Sequence, residues 1–103
     1  MLTGKWIISL ISILMMAAGG VQAGGDAANG KVLSADCADC HGADGLGDED
    51  VPGIAGMDVA KHAKALADFQ SGAVESEMVD YVEGLSEKDM ADLATYYATL
   101  PGN

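Results

Sequence analysis

The chain of 103 residues contains no arginine and only five lysines, against sixteen aspartates and glutamates, and its formal net charge is −11. A surface of this sign repels the phosphates of nucleic acids and of anionic membranes, which argues against both as partners. The negative charge instead favours a partner that presents a basic surface. An acidic surface also keeps proteins soluble in a saline or alkaline habitat, and the composition fits both explanations.

Large side chains are scarce as well. The chain has one tryptophan, one phenylalanine and three tyrosines, and the tryptophan, Trp6, lies in an amino-terminal apolar segment. The rest of the chain is short enough to bury only a small core, and small domains of this kind usually need a further constraint. The composition therefore predicts one small domain that is stabilised by something more than side-chain packing.

The first 23 residues have the layout of an export signal. Lys5 supplies a positive charge, residues 6–18 form an apolar run, and Val21–Ala23 resembles a small-residue cleavage site. The longer stretch from Trp6 to Val21 contains two glycines and falls short of the roughly 20 apolar residues that span a bilayer, which favours a cleaved signal over a membrane anchor. We therefore expect a signal peptide at 1–23, export to the periplasm, and a mature domain of residues 24–103 with a net charge of −12 once Lys5 is removed.

The two cysteines of the chain, Cys37 and Cys40, are separated by two residues, and His41 follows directly. On one helical turn, two such thiols can bond both vinyl groups of a haem while the imidazole reaches the iron. A zinc site normally needs four ligands, and the mature chain adds only His62 and carboxylates. A thioredoxin-like pair needs a βαβ context that is absent, and a disulfide gives His41 no role. The motif therefore predicts one haem c, covalently bound to Cys37 and Cys40, with His41 as an iron ligand.

The second axial ligand of the iron has four candidates in the mature chain. Met90 lies on the apolar face of a predicted helix, where core packing is its expected role. We expect His62, on another predicted helix, to be exposed or partly buried. Met57 is close in sequence to His41, which places it on the same side of the haem, whereas Met78 lies in a weakly structured segment that can cross the opposite face. Met78 is therefore preferred, and Met57 is the alternative.

The predicted secondary structure is entirely helical. Asp26, Asp58 and Ser86 favour helix N-termini, and Ser86 forms a capping box with Asp89. Residues 42–56 are rich in glycine and acid and have no helical or alternating apolar period, which predicts a loop. The predicted helices cover residues 27 to 36 or 37, residues 59–70 with Gly72 as the stop, a short part of 72–84, and the chain from Ser86 to a point before Pro101.

Pro52 is the one rigid point of the loop predicted at residues 42–56. A histidine that ligates a metal usually donates its other ring N–H to a backbone carbonyl or a carboxylate, which sets its tautomer. A carbonyl near Pro52 is therefore the expected acceptor for the N–H of His41.

Several segments of the sequence follow a known pattern: Cys37–Gly45, Pro52–Gly56, Phe69, Ser71–Gly72, Met78, Leu85–Ser86 and Leu93–Tyr97. Together they resemble the small class I bacterial cytochromes c over nearly all of the mature chain. The resemblance implies an all-α fold, with three main helices wrapped around one covalently attached haem. It also implies that the Pro52 carbonyl accepts a hydrogen bond from His41 and that Met78 is the distal ligand. In this family the first helix packs across the last, which accounts for Gly30 near Tyr97, although glycine costs about 1 kcal/mol relative to alanine inside a helix.

A narrower resemblance rests on Ile54–Asp58 together with Phe69, Ser71–Gly72, Met78 and Gly84. These residues are similar to the haem domain of the cytochrome subunit of flavocytochrome c sulfide dehydrogenase, whereas most other small cytochromes of this type tend to have glutamine at the position of Met57. The better-known form of that subunit has two C-x-x-C-H motifs, and this sequence has one. The resemblance implies that the protein accepts electrons from a flavoprotein that oxidises sulfide.

These observations predict a periplasmic c-type cytochrome that transfers single electrons and has no substrate chemistry of its own. Its expected partner is a flavoprotein subunit or another redox protein with a basic docking face, and neither nucleic acid nor a stable membrane anchor is expected. Two alternatives stay open. The first is a freely diffusing carrier that serves an oxidase or a reaction centre. The second is a haem-based ligand binder or weak peroxidase, which needs an open or displaceable sixth position.

Overall fold

The computed structural model describes residues 25–102, so the predicted signal peptide at 1–23 lies outside the described residues. Within 25–102 the chain forms helices and no strands, which confirms the all-α prediction. In this part of the chain no helix has the length and apolar character needed to cross a membrane. The helices are α1 (Ala27–Leu33), α2 (Ala35–His41), α3 (Val59–Ser71), α4 (Val79–Val82) and α5 (Glu87–Ala98).

Side-chain caps set the starts of the two longest helices. The Asp58 carboxylate accepts a hydrogen bond from the N–H of Lys61 at the start of α3. Ser86 and Asp89 form the predicted capping box at the start of α5. Gly72 ends α3 in the left-handed conformation, with φ of 83°, which glycine adopts without strain. The positions of α3 and α5 therefore follow from local sequence, and α3 ends one residue later than predicted.

The first helix departs from its prediction. The sequence predicted one helix ending at Asp36 or Cys37, but α1 and α2 meet at Ser34. The Ser34 hydroxyl donates to the Lys31 carbonyl over 2.7 Å. A serine that bonds to its own helix backbone competes with a regular continuation of that helix. The prediction of a single helix was wrong, and α2 instead carries the complete Cys37–His41 motif.

The hydrophobic core lies where α3, α4 and α5 meet. Leu66 of α3, Val82 of α4 and three side chains of α5 form one buried cluster. Met90, one of those three, is 5% exposed. Its predicted packing role is therefore confirmed.

The crossing of α1 and α5 explains the glycine inside α1. A Cβ atom at Gly30 would collide with the Asp92 carbonyl oxygen and would lie 2.7 Å from Cβ of Tyr96. Only glycine lets the two helices approach this closely, and that contact outweighs its weaker helix propensity. The predicted close approach at Gly30 is confirmed, with Asp92 and Tyr96 as the facing residues.

The same crossing buries a carboxylate. Asp92 of α5 is 1% exposed and accepts hydrogen bonds from the backbone N–H of Asp26, the Asn29 amide and the Lys88 ammonium group, over 2.7, 2.7 and 2.6 Å. These bonds, led by that from Asp26, lower the pKa of Asp92 to about 2. A buried carboxylate is tolerated when its oxygens are paired in this way. Asp92 therefore ties the start of α1 to α5.

We expect Asp92→Asn to lower the midpoint of thermal unfolding by several degrees at pH 7, because the new amide N–H₂ would face the donors of Asn29 and Lys88. The folded-state pKa of Asp92 lies below its ordinary value of 3.8. Its stabilising effect is therefore present above about pH 4 and is lost as the pH falls towards about 2. The wild-type midpoint should fall across that window, and the midpoint of the variant should fall less. Thermal unfolding followed by circular dichroism between pH 7 and 2 measures both.

Asp68→Asn is the matched control. Lys64 and Asp68 also form an i, i+4 ion pair, but their side chains are 74% and 29% exposed. Such exposed pairs contribute about 0.3–0.5 kcal/mol. The unfolding midpoint of this variant should therefore change little, and equal losses in the two variants would contradict the role given to Asp92.

Candidate functional site

The loop between α2 and α3 folds back onto α2. The Gly47 N–H donates to the carbonyl oxygen of His41 over 2.8 Å, and the Asp48 carboxylate accepts from the N–H of Val51 over 2.9 Å. Gly47 has φ of +68°, and a side chain there would collide with the Val51 carbonyl oxygen, so the turn requires glycine. This loop geometry places Pro52 beside His41.

His41 is the buried polar residue at the end of α2. Its side chain is largely shielded from solvent, and Nδ1 lies 2.8 Å from the carbonyl oxygen of Pro52. Because a carbonyl oxygen can only accept, Nδ1 is the nitrogen that carries the proton. Nε2 then keeps its lone pair, which is the tautomer that ligates a metal through Nε2.

A cavity of about 490 Å³ lies against His41. Its walls come from α2, the following loop, α3, the segment around α4, and α5, and they are mostly apolar. A volume of about 300–1,000 Å³ with apolar walls and few polar groups is typical of small-molecule and cofactor sites. The half-buried Cys37 and the exposed Cys40 both line the cavity as free thiols. Two thiols and one imidazole of the same helix therefore line a single apolar cavity.

Three of the four candidate second ligands line this cavity: Met57, Met78 and His62. The fourth, Met90, is buried in the core cluster instead. Met57 follows the loop that carries Pro52, whereas Met78 directly precedes α4. The two methionines therefore reach the cavity from different segments of the chain.

His62 was predicted to be exposed or partly buried, and that prediction was wrong. Its side chain is 4% exposed, like that of Leu66 one turn later on α3. Side chains four residues apart share a helix face, so the spacing of His62 from Leu66 was the signal that could have revealed its burial. Burial lowers the pKa of His62, and the nearby His41 lowers it further.

Two further groups on the cavity wall are held in their neutral forms. Burial raises the pKa of Tyr97 to about 12, and burial also raises the pKa of the Cys37 thiol. A thiol with a raised pKa forms little thiolate and is a poor nucleophile. The environment of Cys37 therefore argues against thiol–disulfide exchange as the function of the pair.

The residues of the cavity fit a haem. The two thiols can form thioethers, His41 offers Nε2 to iron, and the apolar walls suit a porphyrin ring. Within residues 25–102, no group of three or more histidine, cysteine, aspartate or glutamate side chains is arranged to hold a metal ion.

An all-helical fold around an apolar cavity, with C-x-x-C-H on the cavity wall, defines a haem protein of the c type. The sequence model of the cytochrome c family matches residues 27–101. The chain therefore belongs to the cytochrome c family, whose members bind haem c covalently and transfer electrons. Haem c, predicted from the motif, is confirmed as the cofactor.

Three characterised relatives show the range of this similarity. Cytochrome c4 of Pseudomonas aeruginosa is 36% identical over 97 residues, which are 92% of this chain and 48% of that protein. Cytochrome c-554(547) of Halothiobacillus neapolitanus is 37% identical over 89 residues, 74% of this chain and 98% of that protein. The cytochrome subunit of sulfide dehydrogenase of Chlorobaculum tepidum is 32% identical over 72 residues, 69% of this chain and 66% of that protein.

A solved structure gives the same fold. Reduced recombinant cytochrome c4 from Pseudomonas stutzeri matches with a TM-score of 0.69 and 32% identity, over 77% of this chain and 47% of that one. The predicted class I cytochrome c fold is confirmed. The chain spans about half the length of the cytochrome c4 proteins that it matches.

Proposed function

We propose that the protein carries one haem c, attached at Cys37 and Cys40 and ligated by His41 and Met78, and transfers single electrons in the periplasm. The observation that carries this proposal is the cavity that the complete motif lines, beside an imidazole whose Nδ1 is bonded to Pro52. When bound, haem supplies an iron that changes between the ferrous and ferric states. The protein has no substrate chemistry of its own in this proposal.

The chain supports Met78 over Met57 as the distal ligand. Met57 lies five residues after Pro52, whose carbonyl contacts His41, and this proximity favours the His41 side of the haem for Met57. The N–H of Met78 donates to the Ser76 hydroxyl over 3.1 Å, and its carbonyl accepts from the first turn of α4. These hydrogen bonds hold the Met78 backbone in place in the segment before α4, which also lines the cavity.

The other residues of the site orient the ligand and exclude water. The Pro52 carbonyl fixes the ring of His41 and makes Nε2 more basic. The apolar walls lower the local dielectric, which shifts the reduction potential of an iron held there. Pro52 is thus a positioning residue for His41.

For the partner we propose a redox protein with a basic docking face, and specifically the flavoprotein subunit of a sulfide dehydrogenase. The relative from Chlorobaculum tepidum is named as the cytochrome subunit of such an enzyme. Asp50 and Glu77 line the cavity, and Tyr81, which also lines it, is 49% exposed. Val74, in the segment that leads to Met78, is 47% exposed. Apolar and acidic side chains in and near the cavity lining offer both the burial and the charge that a lasting interface uses.

A freely diffusing carrier is the second candidate. Cytochrome c-554(547) of Halothiobacillus neapolitanus is matched over 98% of its length, so a relative consists almost entirely of this one domain. A ligand binder or weak peroxidase requires an open sixth position, and the thioether of Met78 at the cavity argues against it.

The partner proposal predicts a salt-resistant complex. From cells that oxidise sulfide, the protein should co-purify with a larger flavin-containing chain, and the complex should survive roughly half-molar salt. The Debye length falls from about 10 Å at 0.1 M to about 3 Å at 1 M, so an interface that relies on surface charge alone would dissociate. Affinity purification followed by flavin and haem absorbance measures the result.

Two variants test where the interface lies. Tyr81→Ser should weaken the complex in high salt, whereas Val32→Ser should not, because Val32 is 74% exposed but lies on α1 and outside the cavity lining. Recovery of the wild-type protein solely as a free monomer at both low and high salt would reject the subunit role and leave the diffusing carrier.

A further inference from the structure

The segment that carries Met78 has little structure of its own to hold it. Residues 71–77, which lead from the end of α3 to Met78, are all exposed. The helix α4 begins directly after Met78 and has four residues, and an isolated helix of that length is not stable in water. The Met78 carbonyl accepts a hydrogen bond from the N–H of Val82 over 3.2 Å, so the position of Met78 depends on this single turn. A contact from outside α4 is therefore needed to keep Met78 in place.

Gln70, in the last turn of α3, supplies that contact. Its side-chain Nε2 donates to the carbonyl oxygen of Val82 over 2.8 Å and to that of Leu85 over 2.7 Å. The last carbonyls of a helix have no partner within the helix, and a primary amide has two N–H donors, one for each of these oxygens. The Val82 side chain is also buried in the core, at 2% exposure. Gln70 thus ties the end of α4 to α3.

Gln70 is not itself part of the cavity. The described lining contains its neighbour Phe69 and Met78 but not Gln70. The path from Gln70 to Met78 runs through α4, from the Gln70 amide to the Val82 carbonyl and from the Val82 N–H to the Met78 carbonyl. A substitution at Gln70 therefore leaves the residues of the cavity wall unchanged and reaches Met78 through α4.

We propose that Gln70 is a positioning residue for Met78, whose amide holds α4 so that the Met78 thioether stays at the haem iron. This inference rests on the proposed function, in which Met78 is the distal ligand. A small ligand binds the iron only after Met78 has left it, and the apparent affinity is reduced by the fraction of the protein in that open state. The hydrogen bonds from Gln70 oppose the movement of the segment. Gln70 therefore favours electron transfer over ligand binding.

Two variants separate these hydrogen bonds from packing. Gln70→Leu removes both donors, whereas Gln70→Glu keeps the shape of the side chain and places carboxylate oxygens against two carbonyl oxygens. Titration of the ferric protein with imidazole, followed by loss of the methionine-to-iron band, gives the dissociation constant. It should fall about tenfold in the leucine variant, and at least as far in the glutamate variant, because the open fraction rises when the hydrogen bonds are lost. A glutamate variant that binds imidazole like the wild type would overturn the proposal.

Asp92→Asn is the control for a general loss of stability. It also disrupts hydrogen bonds between helical segments, but those bonds join the start of α1 to α5 and do not involve α4. Its affinity for imidazole should stay that of the wild type. An equal gain of affinity in Asp92→Asn and Gln70→Leu would show that Gln70 acts only on overall stability, against the proposal.

A measurement on the wild-type protein needs no variant to fold. The sequence contains two glutamines, and Gln22 lies in the predicted signal peptide, so the mature chain has Gln70 alone. With ¹⁵N in the glutamine side chain, its amide protons should exchange slowly with solvent. The slow exchange should be lost when imidazole replaces Met78 at the ferric iron. Equally slow exchange in the imidazole complex would reject the link between Gln70 and Met78.

The same samples distinguish this proposal from the function on which it rests. A wild-type protein that shows the methionine-to-iron band, with unchanged imidazole affinity in both Gln70 variants, rejects the role of Gln70 alone. A wild-type protein without covalent haem or without that band rejects the proposed function, and the role of Gln70 with it.

Discussion

The protein isolated from the periplasm should have the mass of the chain from about Gly24 plus one haem, and acid acetone should not extract its pigment. Thioethers at Cys37 and Cys40 are covalent, so they survive denaturation that releases a haem held only by packing. Replacing both cysteines with alanine should abolish covalent haem completely. Intact-mass spectrometry and the absorbance of the acetone extract measure the two results.

The control lies inside the motif. Asp39→Asn changes one of the two spacer residues between the cysteines, and the variant should keep its covalent haem. The double alanine variant should also lose helical content by circular dichroism, because a cavity of about 490 Å³ would be left in a small domain. A wild-type mass that shows only a disulfide, or a pigment that acid acetone extracts, would contradict the assignment of Cys37 and Cys40.

Met78→Ala should abolish the methionine-to-iron absorption band of the ferric protein and allow carbon monoxide to bind the ferrous protein. Alanine has no thioether, so the sixth position of the iron would be open. Met57→Ala is the matched control, because it removes a thioether from the same cavity and should keep the band. Absorption spectra of both variants with and without carbon monoxide give the answer.

The opposite result in these two variants would transfer the ligand role to Met57. A wild-type protein that lacks the band and binds carbon monoxide directly would favour the ligand binder or weak peroxidase instead. This experiment therefore tests both the distal ligand and the class of function.

Much of the site was predictable because its chemistry is local. Cys37, Cys40 and His41 lie within one short helix, so their spacing alone indicated haem c, the cofactor of the family. The caps at Asp58 and Ser86 likewise act within three residues of the helix ends that they set. Such features need no knowledge of how distant segments pack.

Ser34 marks the limit of local reasoning. The Ser34 hydroxyl could form a hydrogen bond either with solvent or with the helix backbone. Its hydrogen bond to the Lys31 carbonyl lies at the point where a segment predicted as one helix divides into two. The error left the motif chemistry unaffected, because α2 keeps the spacing of the cysteines and His41.

The sequence by itself determined the cofactor, the helical class and the ends of the longest helices, because each depends on residues a few positions apart. Only the tertiary structure decided which polar side chains are buried. Asp92 has a partner 66 residues away in Asp26, and His62 is buried against Tyr97, 35 positions further along the chain. The burial of both side chains depends on which faces of distant helices pack together. The residues that flank a single polar side chain in the sequence do not reveal this packing. The cavity that brings the motif together with Met57, Met78 and His62 arises from the same packing.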